Sequence, residues 1–195
     1  MNVEILQGDA IELIEQCDQP LALLVSDPPY AFGGSGQEHE LSAQVAVVLR
    51  EAAHKLLTGH WAVIFAASSW RSTNYMIEAV RGILQPVRIA TWCKPTARTK
   101  VDAAGWKWQT VNVIAFRKGA KGKPTRKTGP DFIVADPVKN GRRAELPQSV
   151  AKWAVAPFAV PDGICLDPFA GSGTLLYAAA DYGMTAIGFE AQHQK

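Results

Sequence analysis

Residues 164–179 read Ile-Cys-Leu-Asp-Pro-Phe-Ala-Gly-Ser-Gly-Thr-Leu-Leu-Tyr-Ala-Ala. An apolar strand (163–167) ends on an acid, a turn of small residues follows with glycines at 171 and 173, and a helix (174–182) closes at Gly183. Glycines accept positive φ and add no bulk, so this turn lets a ligand approach the backbone closely. Helix-start N–H groups suit an anionic group such as a carboxylate. Glu190 ends the next strand (185–190), about twenty residues on, where a carboxylate reaches ribose hydroxyls in nucleotide-type pockets. No Gly-Lys-Ser/Thr follows, which excludes a phosphate-binding loop for nucleoside triphosphates, and the glycine spacing differs from the dinucleotide fingerprint. A tight strand–helix turn alone would explain the glycines. It would not explain Asp167, Pro168, Phe169 and Glu190 beside them.

A second unusual peptide lies far upstream. Leu21–Ser26 is a continuous apolar run, as a central parallel strand buried on both faces requires, and it ends at Asp27-Pro28-Pro29-Tyr30. The remaining pattern alternates. Strand 3–6 ends at Gly8-Asp9, helix 10–17 follows, helix 41–57 is stopped by Thr58-Gly59, strand 61–67 precedes helix 72–83, and a helix begins after Pro147. Segments 83–93 and 108–118 read as an antiparallel hairpin at a sheet edge. The pattern predicts an α/β fold with a mostly parallel sheet in one domain, 1–195. Such sheets bind ligands beyond the carboxyl ends of their strands. Asp27–Tyr30 and Asp167–Thr174 should therefore face one pocket, although 140 positions separate the two acids.

Together these residues resemble the amino-group DNA methyltransferases. Asp167-Pro168-Phe169-Ala170-Gly171-Ser172-Gly173-Thr174 looks like that family's S-adenosylmethionine motif, and Asp27-Pro28-Pro29-Tyr30 like its catalytic motif. The catalytic peptide comes first, as in the β group, a circular permutation of the Rossmann-like methyltransferase fold. Gly8-Asp9, Trp92 with Lys94-Pro95, Glu145-Leu146-Pro147 and Glu190 fall in the same order, so the resemblance spans almost the whole chain. It implies S-adenosyl-L-methionine as cofactor, held by Asp9, Asp27, the 167–174 peptide and Glu190. It also implies double-stranded DNA as partner and methyl transfer to the exocyclic amine of a flipped base. Adenine N6 is expected; cytosine N4, an RNA amine and a non-catalytic nucleic-acid-binding relative are the alternatives. No cysteine stands in the Pro-Cys context that carbon methylation demands.

The chemistry accounts for the residue types. An exocyclic amine is a poor nucleophile because its lone pair is delocalised into the ring. Asp27 and the Pro28 carbonyl can each accept one of its N–H groups, and a carboxylate stabilises the positive charge that develops on nitrogen. The prolines stiffen the loop, and Tyr30 offers a ring for stacking on a base.

Net charge is +2, but it is unevenly spread. Arg117–Gln148 holds nine basic residues against three acids, +6, leaving −4 for the rest. This basic stretch (117–148) is expected to be a small target-recognition region with Lys121, Lys123, Arg126, Lys127, Arg142 and Arg143 on DNA; a solvated loop is the plainer reading. Lys94 could meet a phosphate or a base rim, or be a surface lysine. Asp9 could also cap the helix at 10–17. Trp106 and Trp108 are expected in the hairpin core. So small a reader suggests loose sequence specificity or a second copy sharing the work, so a homodimer stays open. Three scattered cysteines argue against disulfides or a metal. The absence of any long apolar run or leader-like start implies no membrane role and a cytoplasmic protein, bacterial or phage-encoded.

Overall fold

The computed structural model describes residues 2–29, 36–97, 99, 101–127, 129–138 and 145–191, with the side chains of 36–41 excepted. Its elements are β1 (Val3–Gln7), α1 (Ala10–Gln16), β2 (Leu21–Ser26), α2 (Gly36–Lys55), β3 (Leu56–Ala67), α3 (Trp70–Ala79), β4 (Leu84–Cys93), β5 (Thr110–Lys118), β6 (Phe132–Val134), α4 (Gln148–Val155), β7 (Ile164–Asp167), α5 (Thr174–Asp181) and β8 (Thr185–Glu190). The strands form one sheet in the order β1-β8-β7-β2-β3-β5-β4-β6. Only β5 runs against the others, pairing antiparallel with β3 and β4. The expected α/β architecture with a mostly parallel sheet is what the chain adopts.

Helices cover both faces, giving three layers. One core joins α1, α2 and α3 to Leu21, Leu24, Ile64, Ile114 and Phe189 of the sheet. The other joins α4 and α5 to Leu23, Val25, Phe65, Val113 and Cys165. Every residue of β2 is buried, so its unbroken apolar run is explained by cover on both faces. Burying Leu23, Leu24 and Val25 fully stabilises the centre of the sheet by about 1.5–3 kcal/mol per side chain.

Three details depart from the sequence reading. Helix α2 ends at Lys55 and β3 starts at once, so Thr58-Gly59 does not stop a helix. Leu21 pairs with Leu56 and Leu23 with Trp61, which leaves a bulge on β3 that Gly59 permits at φ 87°. The β4–β5 pair is antiparallel as expected, but it is not the edge. The segment after β5 returns as β6 and pairs parallel with β4, Trp92 opposite Ile133. Trp106 and Trp108 are not core residues: they are 75% and 38% exposed. The hairpin core is made by shorter side chains such as Val111 and Val113.

The direction of β5 has the largest consequence. Asp27 and Asp167 end parallel strands at one edge of the sheet, whereas β5 delivers Lys118 to the opposite edge, where its Nζ donates to the carbonyls of Ala53 and His54 at the end of α2. The chain then stays there. Gly122 lies against Gly59, Thr125 donates to the carbonyls of Pro157 and Ala159, and the Arg126 guanidinium lies 5.0 Å from the Tyr182 ring centroid. Gly122 is structural: a Cβ built on it would stand 2.1 Å from the Gly59 carbonyl oxygen. Gly122→Ala should therefore cost about 1–3 kcal/mol in urea denaturation. Gly129→Ala, where a Cβ meets nothing within 4 Å, should stay within about 0.5 kcal/mol of the parent. Equal stabilities for the two variants would contradict this packing.

Candidate active site at the strand switch

β7 and β2 are neighbours, paired in parallel at Leu23–Cys165 and Leu24–Leu166. From β7 the chain crosses through α5 to β8 on one side; from β2 it crosses through α2 to β3 on the other. The two loops leave in opposite directions and open a crevice between them. A cavity of about 940 Å³ lies there. Its walls include Asp9, Asp27, Pro28 and Pro29 from the early loops, and Asp167, Phe169, Gly171, Ser172, Thr174 and Glu190 from the late ones. The two distant peptides thus face one space. Tyr30 lies outside the described residues, as do Arg142 and Arg143.

The late wall is held by its own hydrogen bonds. Asp167, 1% exposed, accepts the Phe169 N–H at 3.0 Å. Ala170 N–H donates to the Phe189 carbonyl, and Gly171 N–H to Glu190 Oε2 at 2.8 Å, so the turn is tied to β8. Ser172 and Thr174 hydroxyls share a hydrogen bond of 2.9 Å. Gly171 (φ 54°) and Gly173 (φ 78°) take left-handed conformations. A Cβ at 173 would collide with Ile5 Cδ1 at 2.8 Å, whereas one at 171 would meet nothing. Gly173 is favoured chiefly by its left-handed φ, since the Ile5 tip could shift, and Gly171 gives the turn an open approach. Pro168 and Ala170 are largely buried but also line the cavity.

On the early wall, Asp9 Oδ1 accepts the N–H groups of Ile11 (2.8 Å) and Glu12 (3.3 Å), capping α1. It also lines the cavity, so both roles considered for it are compatible. Pro28 is buried, Asp27 partly so and Pro29 exposed. Lys94 stands near this wall rather than on an outer surface. Burial lowers the pKa of its ammonium, opposed by the charge of Asp27, and its Nζ lies 5.3 Å from the Trp92 ring centroid. Trp92 in turn donates its indole N–H to the Ala135 carbonyl at 2.8 Å. Gln44, Val45, Val48, Glu145 and Leu146 also line the cavity. Val45 and Val48 were legible only as helix-core positions, since helical spacing does not say which neighbour a buried face meets.

Lys121, Lys123, Arg126 and Lys127 are not brought to this cavity. They lie along the opposite edge of the sheet, and the six residues of β2 alone span about 20 Å. The direction of β5 carries this segment away from the cavity that Asp27 lines. Among the described residues no group of His, Cys, Asp and Glu is placed to hold a metal ion, and no helix is long and apolar enough to cross a membrane.

The cavity is electrostatically poised. Burial pushes the Asp167 carboxyl up to about 8, and the negative charges of Asp27 and Glu190 push in the same direction against the Phe169 N–H. Five acidic residues, Asp9, Asp27, Glu145, Asp167 and Glu190, line this one space and favour a ligand that brings positive charge.

The fold is that of the S-adenosylmethionine-dependent methyltransferases. The M1.HpyAVI–SAM complex matches with a TM-score of 0.78 at 20% identity, over 98% of this chain and 94% of that one. PvuII DNA methyltransferase, cytosine-N4-specific, matches at 0.76 and 19% identity, over 98% and 83%. TTHA0409 from Thermus thermophilus, complexed with S-adenosyl-L-methionine, matches at 0.72 and 24% identity, over 100% and 91%. Residues 134–195 match the family model described as DNA methylase. Similarity in sequence is thus confined to that C-terminal third, while the solved structures match the fold over the whole length. A search of curated proteins gave no match.

The Asp167 carboxyl makes stability depend on pH with a definite sign. Its folded pKa, about 8, lies above its ordinary 3.8, so between these values the folded protein keeps a proton that the unfolded chain releases. Stability contributed in this way is complete below about 3.8 and is lost as pH rises towards 8. Asp167→Asn, which can still accept the Phe169 N–H, should melt higher than the parent at a pH of about 8.5, above the folded pKa. The gain should shrink steadily towards a pH of about 4 in ligand-free thermal melts. A pH-independent difference would show that Asp167 is not held protonated.

Proposed function

We propose that this protein transfers a methyl group from S-adenosyl-L-methionine to the exocyclic amine of a flipped base in double-stranded DNA, adenine N6 by preference. The observation that carries the reading is the shared cavity: Asp27-Pro28 and the Asp167–Thr174 turn line the same 940 Å³. That volume falls in the range of about 300–1,000 Å³ that small-molecule sites occupy. The residues fit the cofactor chemically. The cofactor supplies a sulfonium methyl, and its positive charges suit a pocket lined by five acidic residues.

Within this reading, Glu190 and Asp9 orient ribose and adenine at one end of the cavity, and the open approach at Gly171 admits the amino-acid part. Asp167 passes from its protonated to its ionised form as a cation arrives, because opposite charge lowers a carboxyl's pKa. Asp27 accepts one N–H of the target amine and the Pro28 carbonyl the other. This turns the nitrogen lone pair towards the methyl group and holds it in line for displacement. As positive charge develops on nitrogen, Asp27 stabilises it. Lys94 shares the electrostatic field of Asp27 and balances part of its charge. A base stacked in a duplex cannot enter the cavity, so it is flipped out at a cost of a few kcal/mol. Support for an amino nitrogen over a carbon target comes from the family and from the absence of a cysteine on the Asp27 loop.

The test is incubation with methyl-labelled S-adenosylmethionine and unmethylated DNA or RNA, followed by nucleoside analysis. N6-methyladenine from DNA is expected. Asp27→Ala should lower transfer by about 10²–10³-fold, the order lost with one preorganised electrostatic group. Cofactor binding by calorimetry should be retained. N4-methylcytosine would correct the base, label in RNA alone would correct the substrate, and full activity in Asp27→Ala would remove the proposed mechanism.

A further inference from the structure

With Lys121–Lys127 on the far edge, the surface beside the cleft that faces a nucleic acid must come from elsewhere. The β4–β5 connection is at the correct edge. Its stem is pinned there: Lys94 N–H donates to the Gln109 carbonyl at 2.7 Å, and Gln109 Nε2 donates to the Pro95 carbonyl at 2.7 Å. Ser68, which follows β3 at the same edge, donates its hydroxyl to the Thr110 carbonyl at 3.0 Å. Around this stem stand three tryptophans that no core claims. Trp70, at the start of α3, is 84% exposed; Trp106 and Trp108 are 75% and 38% exposed.

These rings are held in place by ordered backbone. The Asp102 carboxylate accepts the N–H groups of Ala104 (2.9 Å) and Trp106 (3.1 Å), Gly105 turns at φ 84°, and Val101 bridges Lys107. Ser69 Oγ caps α3 by accepting the Ser72 N–H at 3.1 Å, so Trp70 stands on the first turn of a capped helix. A cavity of about 380 Å³ opens between Trp70, Trp108 and Ile89. Its floor is polar: Asn112 gives one amide N–H to Thr73 Oγ1 at 2.9 Å, and an amide edge is the chemistry that pairs with a base edge. The exposed Arg71 and Lys107 flank the rings, while the one acid in the lining, Asp102, has its carboxylate engaged with the hairpin backbone.

We propose that Trp70, Trp106 and Trp108 form a stacking platform for unpaired nucleotide bases of the DNA strand entering the Asp27 cleft. Exposed aromatic faces interleaved with cations are how proteins hold single-stranded nucleic acid with little sequence preference. The rings retain bases unstacked when the target leaves the duplex. The platform rests on the DNA-methyltransferase reading for the identity of its strand, but its binding can be measured apart from catalysis.

The full-length protein is compared with Trp70→Ala/Trp106→Ala and Trp70→Phe/Trp106→Phe by fluorescence anisotropy on a short fluorescein-labelled single-stranded oligodeoxynucleotide. Loss of a stacked base should weaken binding about tenfold or more in the alanine variant. Phenylalanine should restore most of it, and calorimetric affinity for S-adenosylmethionine should be the same in all three. Equal oligonucleotide affinity in the alanine variant overturns the platform. So does loss of self-association in sedimentation with oligonucleotide binding unchanged, which would assign the face to a second copy of the chain. Tryptophan-dependent oligonucleotide binding without any methyl transfer would sink the proposed function and leave the platform standing.

Discussion

The pairing of β2 with β7 is the constraint on which everything functional depends. Only two Cα partner pairs join them, Leu23–Cys165 and Leu24–Leu166, yet this short ladder makes neighbours of residues 142 positions apart. Both strands are buried on both faces and must find parallel partners whose side chains fill the same two cores. Because α5 and α2 leave in opposite directions, the end of this pair stays open. The cleft is a consequence of chain topology before it is a consequence of any motif.

Charge then makes the cleft selective. A carboxyl as deeply buried as Asp167 does not ionise beside Asp27 and Glu190 without a compensating cation. The ligand-free protein meets that constraint by favouring the protonated form of Asp167, and a cation placed in the cavity would favour the ionised one. The hydrogen bonds from Phe169 and Gly171 hold the carboxylates of Asp167 and Glu190 in position, so little reorganisation remains for the bound state.

The single antiparallel strand divides the charged surface. β5 ends at the edge away from the cleft, where its last residue Lys118 is held on the end of α2 and Arg126 beyond it lies against Tyr182. The same reversal places the start of β5, and with it the tryptophan-bearing hairpin, at the cleft edge. One strand direction thus moves a basic segment away from the site and an aromatic one towards it.

The sequence by itself determined the alternation of strands and helices, the central position of Leu21–Ser26, and the order of the two peptides that end at strand termini. These are local matters: an unbroken apolar run, a pair of prolines after an acid and glycines in a turn each carry their conformational meaning within a few residues. Tertiary structure alone decided which edge the Lys121–Lys127 segment occupies, that 132–134 returns as an edge strand, and that Trp106 and Trp108 face outward. It also decided that Val45 and Val48 wall the cavity and that Asp167 holds its proton. Strand direction, solvent exposure and the field at a carboxyl are set by partners far away in the chain, and periodicity records only that a residue is apolar, not what it will meet.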